Sequence, residues 1–208
     1  MGKMTRGEKT EYLLSEIKKK MDENGGIIKT RQITGMGVDY RQILAWVEEG
    51  ALERVKSGYY SFGYKERSEE DLIRGLFPDG VLCMESALFY YHYIGQKPYT
   101  WHIAVDKNTS KSRFKMEYPV ITPYYTEPKT LNLGVTEILF ASGRMKIYTK
   151  ERLLCDCLKY EEKLERDVFK RAVLSYIADG TKDIAELLRI ARERKVLQKV
   201  QNIIGVWL

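Results

Sequence analysis

The sequence predicts an α+β fold in two parts, residues 1–64 and residues 65–208. Three observations lead to this prediction. Apolar residues recur at helical spacing from about residue 5 to 23, the period changes to two after Gly50, and an almost wholly charged run follows at 65–71. A chain of 208 residues that is 44% hydrophobic can form two small domains, each with its own core.

The pattern of residues 1–64 predicts three helices in succession. Asn24-Gly25-Gly26 ends the first helix, and Thr30 is expected to cap a short second helix. Gly35-Met36-Gly37 predicts a tight turn. Asp39 is expected to cap a third helix, which stops at a left-handed Gly50.

A β-hairpin is predicted after the third helix. Its outgoing strand is expected to alternate between two faces, one made of Leu52, Arg54 and Lys56 and the other of Glu53, Val55 and Ser57. Gly58 supplies the turn, and an aromatic strand returns over residues 59–62. The order helix, helix, turn, helix, hairpin is that of a winged helix-turn-helix, which we predict for residues 1–64.

The third helix has the side chains that base recognition requires. One face is expected to be apolar, with Tyr40, Ile43, Leu44 and Val47. Arg41 and Gln42 lie on the other face near the helix start, where Arg pairs with guanine and Gln with adenine in the major groove. The hairpin adds cations suited to phosphate or minor-groove contacts, and the second helix adds amides and a hydroxyl for phosphate contacts. The candidate DNA-contacting residues are Thr30, Arg31, Gln32, Tyr40, Arg41, Gln42, Arg54 and Lys56.

Charge permits DNA binding without establishing it. The net charge is +6, but residues 1–64 contain eleven lysines and arginines against nine acids. The acids cluster in the first helix and at the end of the third, so the surface from Thr30 to Lys56 is basic at its tips. A winged helix that binds another protein is the alternative interpretation. Tyr59 and Tyr60 either stack on bases or pack within the hairpin.

The second part predicts a mixed α/β domain that ends in several helices. Strands are expected near 81–83, 101–105, 118–125, 135–140 and 145–148, and a helix over 85–93. The prolines of 118–125 indicate an edge strand, and Ser142-Gly143 a hairpin turn. Four apolar periodic stretches close the chain, the last one reaching Trp207.

Several classes of protein are not expected. The charged start of the chain and the lack of a run of ~20 apolar residues argue against a signal peptide or a membrane span, and predict a cytoplasmic protein. Three cysteines with only His92 and His102 predict reduced structural thiols, without a zinc site or another cofactor. Both histidines are expected at the core edge.

No enzyme is predicted either. Glu161-Glu162-Lys163 has the E-x-K spacing of metal-dependent nucleases, but it lies in a charged helical connection where a solvated surface is the simpler explanation. Asp106, Glu137 and Asp156 would have to converge in space for a catalytic site. A nuclease guided by the winged helix therefore stays an alternative hypothesis.

A second basic cluster lies in the closing helices. Six cations occupy this cluster, against three acids: Lys182, Arg189, Arg192, Arg194, Lys195 and Lys199. Either these residues form a solvated helix face, or they form a surface for the DNA backbone or an acidic protein.

Three stretches of the chain carry a family pattern. The hairpin from Gly50 to Tyr60 is similar to G-x-L-x-R-V-x-x-G-x-Y, and residues 85–95 are similar to an S-A-L…H-G-L helix. Residues 149–156 are similar to an E-R-T-L-x-D helix start, with Leu153 where Thr is usual. In this combination the chain resembles the AbiEi family of abortive-infection antitoxins and transcriptional regulators.

The resemblance implies a bacterial protein whose winged helix represses its own operon by binding inverted repeats in double-stranded DNA. It also implies that the C-terminal domain counters a toxin with a nucleotidyltransferase-like fold, in a type IV toxin–antitoxin system where direct contact is not required. The motif residues of that domain are Glu85, Ser86, Glu151, Arg152 and Asp156.

Two roles stay open for Glu151, Arg152 and Asp156. In a structural role, the carboxylates suit the first turns of a helix and Arg152 pairs with a nearby acid. In the other role they neutralise the toxin or mimic its substrate. A further alternative for the whole chain is a transcription factor that senses a ligand, with Tyr90, Tyr91, Tyr99 and Trp101 forming an aromatic pocket.

Overall fold

The computed structural model describes residues 5–63, 66–140 and 143–205. They form helices and two sheets, so the predicted mixture of α and β structure is confirmed. The chain divides into two compact units. The N-terminal unit comprises residues 1–78 with 115–119 and 140–143, and the C-terminal unit comprises the rest. The boundary predicted at 64–65 falls outside the described residues.

The N-terminal unit combines helices with a small sheet. Its elements are α1 (Arg6–Glu23), β1 (Ile28–Lys29), α2 (Thr30–Thr34), α3 (Tyr40–Glu48), β2 (Glu53–Lys56), β3 (Tyr59–Ser61) and α4 (Glu69–Leu76). β3 lies between β1 and β2 and pairs antiparallel with both. The predicted element order is present, with the short strand β1 in addition.

Local signals set the ends of these helices. Glu8 and Thr5 form a capping box at the start of α1, and Gly50 adopts the predicted left-handed conformation after α3, with φ 72°. The Asp71 backbone N–H donates to the Ser68 hydroxyl over 3.2 Å, so Ser68 caps the start of α4. The apolar faces of α1, α2 and α3 meet over the sheet in one core, which includes Ile17, Met21, Ile33, Ile43, Trp46 and Tyr60.

Helix α4 belongs to this N-terminal unit, although the sequence placed it in the second part. It approaches the end of α1 very closely. A Cβ atom on Gly25 would lie 2.3 Å from the carbonyl oxygen of Asp71, and one on Gly75 would lie 2.5 Å from that of Asn24. The charged run at 65–71, which extends into the first turn of α4, has the composition of a linker, and no local pattern indicates which core the helix joins.

This packing predicts a large cost for a methyl group at Gly25. Gly25 and Gly37 both have positive φ, but only Gly25 has neighbours within van der Waals distance. We expect Gly25→Ala to lower the free energy of unfolding by ~1–3 kcal/mol more than Gly37→Ala, because only the former forces α4 away. Urea unfolding followed by circular dichroism measures both. Equal losses would contradict the close contact.

The C-terminal unit is built around a five-stranded sheet in the order β6-β5-β4-β8-β7. The elements are β4 (Val81–Leu82), α5 (Met84–Tyr90), β5 (Trp101–Asp106), β6 (Ile121–Thr126), α6 (Pro128–Leu131), β7 (Val135–Phe140), β8 (Gly143–Tyr148), α7 (Lys150–Lys159), α8 (Arg166–Ala178), α9 (Ile184–Arg194) and α10 (Leu197–Ile203). β4 pairs antiparallel with β5 and parallel with β8, and β5 pairs parallel with β6.

Most predicted elements of this unit are found. The proline-containing strand β6 lies at an edge of the sheet, although it begins at Ile121 and not near Tyr118. Helices α7 to α10 are the four predicted closing helices. Ser142 and Trp207, predicted to lie in a turn and in the last helix, fall outside the described residues.

Helix α7 is buried all round. Every residue from Glu151 to Leu158 is buried, with α5, α8, α9 and α10 packed against the helix. Cys155 and Cys157, on different faces of α7, are therefore both inaccessible, and Cys83 is buried as well. Burial raises the pKa of the Cys155 thiol to about 12, so this thiol is protonated at neutral pH.

No helix within the described part of the chain is both long enough and apolar enough to cross a membrane.

Candidate nucleic-acid interface

The start of α3 presents the residues predicted to read bases. The Asp39 side chain caps the helix by accepting the Arg41 backbone N–H over 2.7 Å. Ile43 and Trp46 are buried against the core, whereas Arg41 is exposed and Gln42 is half-buried. The cap and the two core residues therefore fix the orientation in which the first turn faces outward.

Tyr40 does not lie on the apolar face where the sequence placed it. It is 47% exposed, at the first residue of the helix, next to Arg41. Trp46, which the predicted face omitted, is 1% exposed and takes the core position one turn after Ile43. Tyr40 remains in the candidate contact set because an exposed ring at a helix start is available to bases.

Helix α2 starts one residue earlier than predicted. Its N-cap is Lys29, and Thr30 is the first helical residue. The Gln32 side-chain oxygen accepts the Lys29 backbone N–H over 2.9 Å, and the Thr30 backbone N–H donates to the Gly58 carbonyl oxygen over 3.0 Å. Of the three α2 candidates, Arg31 alone has an exposed side chain, while Thr30 and Gln32 are half-buried.

The hairpin departs from the predicted strict alternation. Arg54 pairs with Tyr60, but the next paired residue is Lys56, opposite Tyr59, so Val55 is an extra residue in a β-bulge. A bulge of one residue shifts all following side chains, which is why period-two reasoning fails for Lys56. Arg54 is exposed, whereas Lys56 is half-buried.

Lys56 rests on aromatic rings of the N-terminal unit. Its amino group lies 4.3 Å from the centroid of the Tyr59 ring and 5.3 Å from that of Phe77. The amino group of Lys29 lies 5.4 Å from the same Tyr59 centroid. Tyr60, in contrast, is fully buried in the core.

The sequence did not indicate that Lys29 lies beside the hairpin, or that the Tyr59 ring contacts the amino groups of both Lys29 and Lys56. Lys29 is paired with Tyr59 across β1 and β3, and Lys56 is paired with Tyr59 across β2 and β3. The only local signal was that Lys29 directly precedes the capped helix. Its place beside the hairpin depends on strand β1, which is too short for a periodic pattern.

In the C-terminal unit, two motif residues accept hydrogen bonds from the main chain of other elements. The Ser86 hydroxyl accepts the His102 backbone N–H over 2.8 Å, and a Glu151 side-chain oxygen accepts the Asp183 backbone N–H over 3.0 Å. Glu85 is half-buried, and both its burial and the negative charge of Glu165 raise its pKa.

Arg152 and Asp156 lie in a buried ionic cluster with Arg194. One carboxylate oxygen of Asp156 accepts from the Arg152 Nε over 2.9 Å, and the other from the Arg194 Nε over 2.8 Å. The Arg152 Nη1 donates to the carbonyl oxygens of Thr130 and Leu133. The three charged side chains are 5% exposed or less. Arg152 thus pairs with an acid in the core of this unit.

The cations of the second basic cluster differ in exposure, since Arg189, Arg192, Lys195 and Lys199 are exposed and Arg194 is buried. Lys182 and Lys199 each donate to a main-chain carbonyl oxygen, at 2.9 and 2.8 Å. Arg189 pairs with Glu186, and Arg194 is buried. Four of its six cations are therefore engaged within the unit.

The residues considered as catalytic candidates are not placed together in one site. Glu161-Glu162-Lys163 forms an exposed 3₁₀ turn and not the strand that a nuclease motif needs. Asp156 is enclosed by arginines, while Glu137 pairs with Arg144 at the surface. Among the described residues, no group of three or more His, Cys, Asp or Glu side chains is placed to hold a metal ion.

Of the four residues predicted to form an aromatic pocket, Tyr90 and Trp101 line a small cavity with Phe89, and Tyr91 and Tyr99 do not line it. Tyr90 stacks on Trp101, and the Tyr91 hydroxyl donates to the Tyr148 carbonyl oxygen. Tyr99 is 88% exposed. Of the two histidines, His102 is buried, which lowers its pKa to about 4, and His92 is exposed and not at the core edge.

Comparison with known proteins supports the resemblance carried by the hairpin. Residues 17–63 match the model of the family described as "Transcriptional regulator, AbiEi antitoxin". This segment runs from the second half of α1 through α2 and α3 to the end of the hairpin. No curated protein matches the chain. The resemblance to the AbiEi antitoxin and transcriptional-regulator family is therefore confirmed for residues 17–63, the segment that contains every candidate DNA-contacting residue.

Proposed function

We propose that this protein is a DNA-binding regulator of the AbiEi antitoxin type, whose N-terminal unit acts as a winged helix-turn-helix. The observation that carries the proposal is the first turn of α3. Arg41 is exposed there, opposite the buried Ile43 and Trp46, with the exposed Tyr40 and the half-buried Gln42 on either side of it. This is the arrangement that a recognition helix needs, because its apolar face must stay on its own domain while its polar start enters the major groove.

Each exposed element has a distinct task in this proposal. Arg41 and Gln42 read base edges, where each bidentate pair discriminates by ~1–3 kcal/mol against the wrong base. Tyr40 supplies apolar contact, such as to a thymine methyl group. Thr30, Arg31 and Gln32 of α2, with Arg54 and Lys56 of the hairpin, face the sugar–phosphate backbone, which fixes the register without reading sequence.

The C-terminal unit carries the antitoxin role in this proposal. The family match lies in the N-terminal unit, so this role rests on the resemblance of the motifs in residues 85–95 and 149–156, which implies a toxin partner with a nucleotidyltransferase-like fold. Glu151, Arg152 and Asp156 act structurally, since their side chains are buried and bonded within the unit. Glu85 is the motif residue that remains partly accessible.

If the N-terminal unit represses and the C-terminal unit neutralises the toxin, substitutions in one unit should affect only one of these activities. We expect the double variant Arg41→Ala, Gln42→Ala to lose repression of a reporter gene fused to the upstream region of its own gene. The same variant should still rescue cells from a nucleotidyltransferase-like toxin that the wild-type protein counters, because neither side chain belongs to the C-terminal unit. Reporter activity measures repression, and colony counts measure rescue. Loss of rescue by a folded variant would contradict the division of roles, and unchanged repression would contradict the role of α3.

A further inference from the structure

A groove of about 240 Å³ lies along strand β6, at the edge of the five-stranded sheet. It is lined by four consecutive residues of the strand and by two residues that follow the last turn of α7: Thr122, Pro123, Tyr124, Tyr125, Tyr160 and Lys163. All six belong to the C-terminal unit. None of them is part of the aromatic pocket that the sequence predicted, so the groove is a separate candidate for binding a small molecule.

Alternate main-chain groups of β6 point out of the sheet. The Trp101 backbone N–H donates to the Val120 carbonyl oxygen over 2.8 Å, and the Lys107 backbone N–H donates to that of Thr126 over 2.9 Å. The register between these two bonds is regular, so the even-numbered residues of β6 bond to β5. The odd-numbered residues therefore present their main-chain groups on the opposite side, as is typical of an edge strand.

Pro123 and Tyr125 are the odd-numbered residues that line the groove. Pro123 has no N–H and offers only its carbonyl oxygen there, whereas Tyr125 offers its N–H. Neither group has a hydrogen-bond partner in the described part of the chain. An acceptor and a donor two residues apart thus lie on the same side of the strand. They can bond one flat molecule that has a donor beside an acceptor.

The other wall of the groove combines two aromatic rings with one positive charge. The rings of Tyr124 and Tyr160 meet edge to face, with their centroids 5.8 Å apart. The amino group of Lys163 lies 5.0 Å from the Tyr160 centroid and 6.0 Å from the Tyr124 centroid. The Lys163 side chain is exposed, and it forms no ion pair with the residues that the structure describes. The groove therefore has an aromatic wall with a cation available for an external anion.

We propose that this groove binds a nucleoside monophosphate whose base is adenine. The amino group of adenine donates to the Pro123 carbonyl oxygen, and the ring nitrogen beside it accepts the Tyr125 N–H. The base packs against the tyrosine rings, and the phosphate pairs with Lys163. Small-molecule sites commonly have ~300–1,000 Å³, so a groove of about 240 Å³ takes the base and leaves the ribose and phosphate at the surface. The site does not depend on the proposed DNA binding.

Isothermal titration calorimetry of the full chain, at one fixed salt concentration, tests the site with related compounds. Adenosine monophosphate should bind most tightly. Adenosine should bind ~2- to 5-fold more weakly, because it lacks the charge that pairs with Lys163. Inosine monophosphate should bind at least ~10-fold more weakly, because a carbonyl oxygen replaces the amino group and faces the Pro123 carbonyl oxygen. Ribose phosphate, which has no base, should show no binding.

Two pairs of variants assign the contacts. Lys163→Ala should weaken adenosine monophosphate to the affinity of adenosine, whereas Lys170→Ala, which removes an exposed cation of α8, should leave both unchanged. Tyr125→Pro removes the N–H that Tyr125→Ala keeps, so the proline variant should bind adenosine monophosphate at least ~5-fold more weakly than the alanine variant. Proline is tolerated at this position of an edge strand, because the N–H takes no part in the ladder. Thermal melting shows whether each variant is folded.

The contrary results are equally specific. A wild type that does not bind adenosine monophosphate would overturn the proposal. Equal affinity for adenosine and inosine monophosphates would overturn recognition of the base by the strand edge, even if Tyr125→Pro failed to fold. Equal binding of ribose phosphate would show attraction of phosphate alone and would overturn the base site. Unchanged affinity of Lys163→Ala would overturn the phosphate contact. DNA binding by the N-terminal unit is measured separately, so it stands or fails on its own.

Discussion

Replacement of Asp156 by alanine is expected to destabilise the C-terminal unit by about 3–5 kcal/mol, the largest stability effect that we predict. Asp156 is the shared partner of two guanidinium groups, Arg152 and Arg194, at 2.9 and 2.6 Å. Its side chain is 4% exposed, and theirs are 0% and 5% exposed. Removal of the carboxylate leaves two buried positive charges side by side, without water to solvate them.

The size of the expected loss follows from the difference between an intact buried ion pair and a buried charge that has lost its partner. An intact pair adds little, because desolvation offsets the attraction, but a buried charge that loses its partner keeps the full desolvation penalty. Arg152 also donates to two main-chain carbonyl oxygens, so it has no alternative position that keeps these bonds. Asp156→Asn should cost less than Asp156→Ala, since the amide oxygen still accepts one hydrogen bond.

Urea unfolding of the full chain, followed by circular dichroism, measures this loss. Glu137→Ala is the matched control, because its partner Arg144 is 74% exposed and exposed pairs contribute about 0–1 kcal/mol. A loss below about 1 kcal/mol for Asp156→Ala would contradict the structural role. Asp156 would then have to act on a partner of the protein and not on its own unit.

The second large effect concerns base recognition by α3. We expect the double variant Arg41→Ala, Gln42→Ala to lose most of the preference for its own upstream DNA. Two bidentate contacts at ~1–3 kcal/mol each correspond to a loss of roughly 30-fold or more in the ratio of specific to random binding. Affinity for random DNA should fall far less, because backbone contacts supply that affinity.

Arg54→Ala is the matched control for this variant. Arg54 is an exposed arginine of the same unit, but it lies on the hairpin and faces the backbone in the proposal. Its removal should weaken both duplexes by a similar factor and leave their ratio unchanged. If Arg54→Ala reduced the ratio while the α3 variant did not, sequence would be read by the hairpin and not by α3.

Sequence reasoning predicted the N-terminal unit where the signals are local. The Asp39 cap, the left-handed Gly50 and the order of helices depend on residues within one turn of each other, so they are visible in the sequence. The errors at Lys29 and Lys56 have another cause. A two-residue strand has no period, and a bulge shifts the register without any characteristic residue.

The C-terminal unit shows the same limit over longer distances. Its closing helices are periodic and were predicted, but Arg194 was counted among surface cations. Its partner Asp156 lies 38 residues earlier in the chain, on another helix. Lys199 stays exposed, although its amino group reaches the Leu158 carbonyl oxygen, 41 residues away. Composition reveals how many cations a stretch has, and only packing determines which of them remain on the surface.

The claim that this protein binds DNA sequence-specifically is tested most directly by the ratio of its affinities for two duplexes. The full-length wild type is titrated against the duplex upstream of its own gene and against a random duplex of the same length, at one fixed salt concentration near 150 mM. A winged helix that reads its operator should prefer the upstream duplex by ~10³-fold or more. A ratio near one would contradict the claim that α3 makes this protein a sequence-specific regulator.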